Sequence, residues 1–489
     1  MTGVSRLPRS TAEDQGLSSG ALDAFVAALD SSGQEIQTLM VLRHGHVVRE
    51  EEWSPYRLAD PHLLFSVSKS FTSIGIGLAI EAGLLSLDDK VISFFPDELP
   101  DQVGDNLAAM EIRHLLTMTT GHDQDTVERL SKDRRMVGIF LGLEVEHEPG
   151  TVFVYNSGAT YMLSAILQKL TGERLLDFLR PRLFEPLGAT EATWEVSREG
   201  ITTGGWGLSL NTESLARFGQ LLLQRGQWEG RQLLPAEWID AATSKQVDNS
   251  NQDNPDWQQG YGYQFWRSRH GGYRGDGAFG QYCLVFPEHD AAVIITSAGF
   301  DMQETLDVVW EHFLPVLEGA APTEARQVGP LLIAPPSGGV PSDVQSGVPS
   351  GVQGGVPSSV QGGVPSGGAG RTYRFEENHA GLTAVRLDAD GTGTFTFGPV
   401  AAGELAASGS QEITIAPGSW EEQAYLLREP KQRIVTNAYS EGSTFVATIR
   451  LLETPYVITL ACRPTGDALT VDLKFNVAFG PTEVQLVSV

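Results

Sequence analysis

Apolar positions recur three and four apart through much of the first 320 residues. Leu22, Phe25, Val26 and Leu29 share a helical face, and Ser18 or Ser19 stands where an N-cap belongs. IQTLMVLR and HVVREEEW flank His44-Gly45 and predict a β-hairpin. Residues 66–82 predict a helix with Val67, Phe71, Ile74 and Leu78 on one face and Gly83 at its C-cap. Further helices are expected at 111–118, 157–171 and 212–225. GYGYQFW (260–266), QYCLVFP (281–287) and AAVIITSA (291–298) read as strands. Strands at both ends with helices between them predict an α/β sandwich.

After residue 370 the period changes to two. Leu469, Val471, Leu473, Phe475, Val477 and Phe479 alternate with Thr470, Asp472, Lys474 and Asn476, the pattern of a strand with one wet face. Similar runs at 382–388, 392–398, 411–415 and 443–451 predict a small antiparallel barrel. Between the two regimes, Val340, Val348, Val356 and Val364 mark an eight-residue repeat rich in Gly, Pro and Ser. Such a segment buries too little apolar surface to offset its chain entropy, so it reads as a flexible linker. The expected division is a domain over 1–320, a linker over 321–370 and a β domain over 371–489.

Composition narrows the function. The formal charge of −27 repels nucleic acid and anionic membrane surfaces. The two cysteines, Cys283 and Cys462, make no disulfide framework. MTGVSRLPRSTAEDQG lacks the apolar stretch of a secretory signal, and no run reaches the roughly 18 apolar residues of a membrane span, so the expected location is cytoplasmic. There is no His-Glu-x-x-His, no paired cysteine site and no Gly-x-Ser-x-Gly elbow; no metal or cofactor is expected.

Candidate chemistry starts at Ser66-Val67-Ser68-Lys69. Residues three apart on a helix face the same way, and a partly buried lysine loses enough basicity to act as a neutral base beside a hydroxyl. Alone the pattern is common: chance supplies about one Ser-x-x-Lys in a chain this long, as an N-cap followed by a surface lysine. Its neighbours make it specific. FSVSKSF (65–71) is followed by IEAGLL (80–85), LDDKV (87–91), IRHLLTMTTG (112–121) and PGTVFVYNSG (149–158). In this order and spacing the blocks resemble the penicillin-recognising serine hydrolases: class C β-lactamases, DD-peptidases, related esterases and 6-aminohexanoate-dimer hydrolases. The resemblance covers about residues 10–315.

That resemblance implies a β-lactamase/transpeptidase-like α/β (α+β) fold, an antiparallel sheet flanked by helices with a helical subdomain. It implies Ser66 as nucleophile, with Lys69 and Tyr155 as the proton-handling partners. Gly275-Asp276-Gly277-Ala278-Phe279-Gly280-Gln281 falls at the third block, so the backbone N–H groups of Ser66 and Ala278 are the expected oxyanion hole, with glycines letting substrate approach the strand. Two departures matter. Ser157 stands where β-lactamases of this type carry Asn, and the third block offers Asp276 instead of a cation. Both point towards the esterase and aminohexanoate-dimer-hydrolase branch, as does Gly204-Gly205-Trp206-Gly207-Leu208. Ser157, Trp206, Asp276 and Gly277 are the expected substrate-side residues, and the expected substrate is a small ester or amide. The competing readings are a penicillin-binding-like protein that acylates without turnover, a D-amino-acid peptidase or β-lactamase, and a function seated in the C-terminal segment. Lipocalin-like barrels attached to some relatives make that segment a binding or homo-oligomerisation module.

Overall fold

The structure is a computed structural model, and it describes residues 6–132, 135–319, 328–337, 370–398, 410–425 and 432–489. The repeat at 338–369, and with it most of the expected linker, lies outside the described residues. The chain divides into two compact units, Met1–Leu331 and Leu332–Val489.

The first unit is built on a six-stranded antiparallel sheet. Its order is His46–Glu52, Ile36–Arg43, Ala291–Ser297, Gln281–Phe286, Tyr273–Gly277, Trp266–Arg267. An early hairpin thus pairs with the last strand, Leu39 facing Ile295 and Val41 facing Val293. Ser18 caps the Ser19–Ser31 helix, its side chain accepting from the Ala21 amide. The stretch 260–265, expected as strand, is not one: only Trp266–Arg267 joins the sheet. Gly260 at φ 110° and Gln264 at φ 65° interrupt it, leaving only isolated bridges of Tyr261 with Val247 and Trp266. The strand at Tyr273–Gly277 replaces it.

The Ser68–Glu81 helix carries the site. Its sequence suggests one apolar face, yet Ser68 through Ala79 are all buried. The polar side of the helix is buried because its small residues meet partners. The Ser70 hydroxyl donates to the Gln264 carbonyl (2.9 Å), that of Thr72 donates to Gly204 (2.8 Å), and Ser68 Oγ accepts from the Leu208 amide (3.0 Å). A Cβ on Gly77 would lie 2.4 Å from the Trp238 ring, so glycine is what admits that ring. A helix buried all round is therefore compatible with three of its hydroxyls, each spent on a backbone group, while the buried Ser73 Oγ has no hydrogen-bond partner among the described residues.

In the second unit, Arg371–Arg374, Leu382–Leu387, Gly393–Phe397 and Gln411–Ile415 form one antiparallel sheet. Glu421–Tyr425, Gln432–Glu441, Thr444–Leu451, Val457–Thr465, Ala468–Phe475 and Glu483–Val487 form another. Where a small antiparallel barrel is expected, the described residues form these two sheets and no closed barrel. Pro417, with no N–H to donate, and Gly418 at φ 131° break the ladder between Ile415 and Glu421. Among the described residues the seams are single backbone bonds, from Ala438 N to Ala416 O (3.1 Å) and from Val489 N to Arg374 O (2.9 Å). Cys283 and Cys462 are free and buried, one in each unit. Among the described residues no helix is long and apolar enough to cross a membrane.

Candidate active site

Ser66 lies in a 3-10 turn, Phe65–Val67, directly ahead of the Ser68–Glu81 helix. Phe65 holds φ 45°, a conformation that disfavours a bulky residue. Its ring meets Phe279 edge to face, 5.4 Å between centroids, and Phe279 itself holds φ 65°. The two strained backbones flank Ser66 on one side and Ala278 on the other.

Lys69, 1% exposed, places Nζ 2.9 Å from Ser66 Oγ, 2.8 Å from the Gly205 carbonyl and 3.2 Å from Ser157 Oγ. Burial pushes its pKa down to about 8, against the opposing pull of Asp125 and Asp276. Three acceptors match the three protons of an ammonium. Once neutral, the amine can keep two and present its lone pair to the Ser66 hydroxyl.

Tyr155 precedes Asn156, whose side chain caps the Ser157–Thr171 helix by accepting from the Gly158 and Ala159 amides. The cap fixes the tyrosine backbone, and Trp266 fixes its ring by stacking at 5.2 Å and 26°. Lys69 Nζ lies 4.7 Å from the centre of that ring. Burial, then the Asp276 charge, raises the phenol pKa well above its ordinary value; a side-chain hydrogen bond with Ser66 opposes them. The structure thus brings Ser66, Lys69, Tyr155 and Ser157 into one cluster.

The remaining residues singled out in the sequence lie around it. Asp276, 6% exposed, is paired with the buried Arg274 at 2.9 Å, so the cation missing from the third block stands two positions earlier on the same strand face. Its pKa is raised by burial, opposed by Arg274. Gly277 is filled from within the protein: a Cβ there would lie 2.1 Å from the Leu64 carbonyl. Its missing side chain lets the strand close on the segment that carries Ser66. Gly277→Ala is therefore expected to destabilise the fold by about 2 kcal/mol, read from denaturant unfolding, and to lower kcat by displacing Ser66. Trp206 is half-buried against the core; its carbonyl accepts from the Trp194 indole at 2.8 Å, next to the Gly205 carbonyl that holds Lys69. Among the described residues, neither the Ser66 nor the Ala278 amide donates to a backbone carbonyl.

Three members of the site escape a sequence reading. Trp266 lies in a stretch that reads as ordinary strand. Asp125, whose Oδ1 accepts from the Ser157 and Val127 amides at 2.9 and 3.0 Å, belongs to no recognisable block. The Gly205 contact is made by a carbonyl, which has no side-chain signature at all. No group of three or more His, Cys, Asp or Glu side chains among the described residues could hold a metal ion.

Comparison with known proteins places this geometry. The Beta-lactamase family model matches residues 22–312. The 6-aminohexanoate-dimer hydrolase of Paenarthrobacter ureafaciens is 25% identical over 304 residues, 57% of this chain and 77% of the relative. The lovastatin esterase of Penicillium rubens is 26% identical over 203 residues, 36% of this chain and 50% of the relative. The octameric penicillin-binding protein homologue of Pyrococcus abyssi aligns over 96% of this chain and 99% of its own, with a TM-score of 0.52 and 15% identity, a likeness of fold. A match over more than half the chain decides the matter: this protein belongs to the beta-lactamase family of serine hydrolases.

Proposed function

We propose that the protein hydrolyses small esters or amides through an acyl-enzyme on Ser66. The observation that carries this is the contact of a fully buried Lys69 Nζ with Ser66 Oγ at 2.9 Å. The environment separates the two proton-handling groups. Lys69 is pushed down to about 8 and Tyr155 is pushed up, so near neutral pH the lysine is the group that deprotonates. In acylation Lys69 takes the Ser66 proton as Oγ attacks the carbonyl. The Ser66 and Ala278 amides receive the oxyanion, and the Tyr155 phenol passes its proton to the leaving group as it recovers the one held by Lys69, so that both groups end neutral. Water then attacks the acyl-enzyme and frees Ser66. Ser157 and Trp206 are assigned to the substrate side. Asp276, held by Arg274, and Gly277, filled by Leu64, are assigned to shaping the site.

An ester or amide is favoured over a β-lactam because Arg274, the cation that adjoins the third block, is buried against Asp276 and not offered to a substrate carboxylate. The P. ureafaciens and P. rubens relatives are named for hydrolysis of an amide dimer and of an ester. A panel of p-nitrophenyl esters, a linear amide dimer and a chromogenic cephalosporin tests this: ester or amide turnover with little cephalosporin turnover is expected. A persistent β-lactam adduct without ester turnover would favour the penicillin-binding reading.

The pH profile follows from Lys69. With its pKa near 8, roughly 1% is neutral at pH 6 and about 90% at pH 9. Initial rates should give kcat/KM rising about tenfold per pH unit below 8 and levelling above it. A flat profile between pH 6 and 9 contradicts Lys69 as base.

For the whole chain, the proposed organisation is a catalytic domain over 1–320, a connecting segment over 321–370 and an accessory β domain over 371–489. Homo-oligomerisation is supported by the P. abyssi homologue, described as octameric and aligned over 96% of this chain, and is assigned here to the last domain. Light scattering of the full chain tests it, a monomer being the contrary result.

A further inference from the structure

We propose that Gln281 and Ser297 are positioning residues that aim the Ala278 amide at the oxyanion. This rests on the acyl-enzyme reading above and adds a role to two residues that neither touch Ser66 nor belong to the proton-handling cluster. Residues 278–280 turn the chain between the paired Gly277 and Gln281. The turn is held from beneath. The buried Gln281 amide nitrogen donates to the Ala278 carbonyl (3.2 Å), the Phe279 carbonyl (3.3 Å) and the Ser297 carbonyl (2.7 Å). Gln281 Oε1 accepts from the Ser297 amide at 3.4 Å. The Ser297 hydroxyl lies 2.9 Å from each of the Phe279 and Gly280 carbonyls, and the Gly299 amide donates to Phe279 at 3.0 Å.

All three carbonyls of the turn are thus bound on one side. The Gly277 carbonyl accepts from the Gly280 amide at 3.3 Å. In a planar trans peptide the next N–H points the opposite way, so the Ala278 N–H is directed out of the turn. Two features show that the turn is imposed by its contacts. Phe279 sits at φ 65°, where a bulky residue is disfavoured. Gly280 sits at φ 88°, and the Ser297 hydroxyl occupies the position of its absent Cβ, 2.1 Å away. Without these donors the Phe279 backbone has reason to relax to negative φ, which would swing the Ala278 amide.

The test is Gln281→Met, which keeps volume and removes the donors, with Ser297→Ala as the milder variant. On a p-nitrophenyl ester, Gln281→Met should lower kcat about 10- to 100-fold and shift KM less than about threefold. Ser297→Ala should lower kcat about fivefold, and the double variant should be less than multiplicative because both hold one turn. The readout that a merely structural role would not move is binding of phenylboronic acid. Its boron takes the Ser66 oxygen as fourth ligand while the hydroxyl proton passes to Lys69, and one boron-bound hydroxyl enters the amide pocket. Its affinity should fall by the same factor as kcat. If both variants keep wild-type kcat and boronate affinity while losing only thermal stability, the positioning role is wrong. Should Gln281→Met fail to fold, Ser297→Ala decides alone on the same readouts. A wild-type rate from Ser66→Ala would instead overturn the acyl-enzyme reading itself.

Discussion

Ser66→Ala should abolish turnover, with kcat/KM on a p-nitrophenyl ester falling by about 10⁵-fold or more. The size follows from what is lost. The Ser66 hydroxyl is the nucleophile of the proposed route and the nearer of the two hydroxyls that Lys69 touches, and the oxyanion amides left behind have no bound intermediate to stabilise. The fold should survive: Ser66 is half-buried, and its side chain serves Lys69 and Tyr155 without any helix-capping bond. Unchanged thermal unfolding alongside lost activity is therefore part of the expected result. Residual activity within tenfold of wild type would mean that another residue attacks.

Lys69→Met should lower kcat/KM by about 10³-fold and remove the rise in rate towards pH 8. Methionine is near the lysine in volume, and replacing a buried charge by an apolar side chain costs little where no opposite charge is left stranded. Asp276 keeps Arg274, and Asp125 keeps the Ser157 and Val127 amides. The loss is thus expected in the chemical step, with folding retained. A variant that is slow but still shows the wild-type pH profile would assign the titration to another group.

The elements that position the site divide by how local their cause is. The Ser66 to Lys69 spacing, the Ser18 cap and the hairpin at 36–52 arise from neighbours within a few residues, and each is visible in the chain. The alternation from Leu469 to Phe475 likewise appears as a strand with its apolar side buried. The long-range causes are not visible. Burial of the Ser68–Glu81 helix on every side depends on Gly204, Leu208, Trp238 and Gln264, all more than 120 residues away. The opening of the second unit into two sheets turns on Pro417 and Gly418, a local break that the even apolar period around it conceals. Arg274 stands two residues from Asp276 and, like His270, is within the chain's reach of it; the Tyr273–Gly277 strand sets Arg274 and Asp276 on one face and pairs them.

The most direct measurement is the site of acylation. The full chain would be quenched in acid during steady-state hydrolysis of an activated ester, then digested and mapped by mass spectrometry. A single acyl group on the peptide carrying Ser66, absent from Ser66→Ala and accumulating when deacylation is slow, is the predicted result. An acyl group on another residue, or turnover with no covalent species under conditions that trap one, would contradict the account.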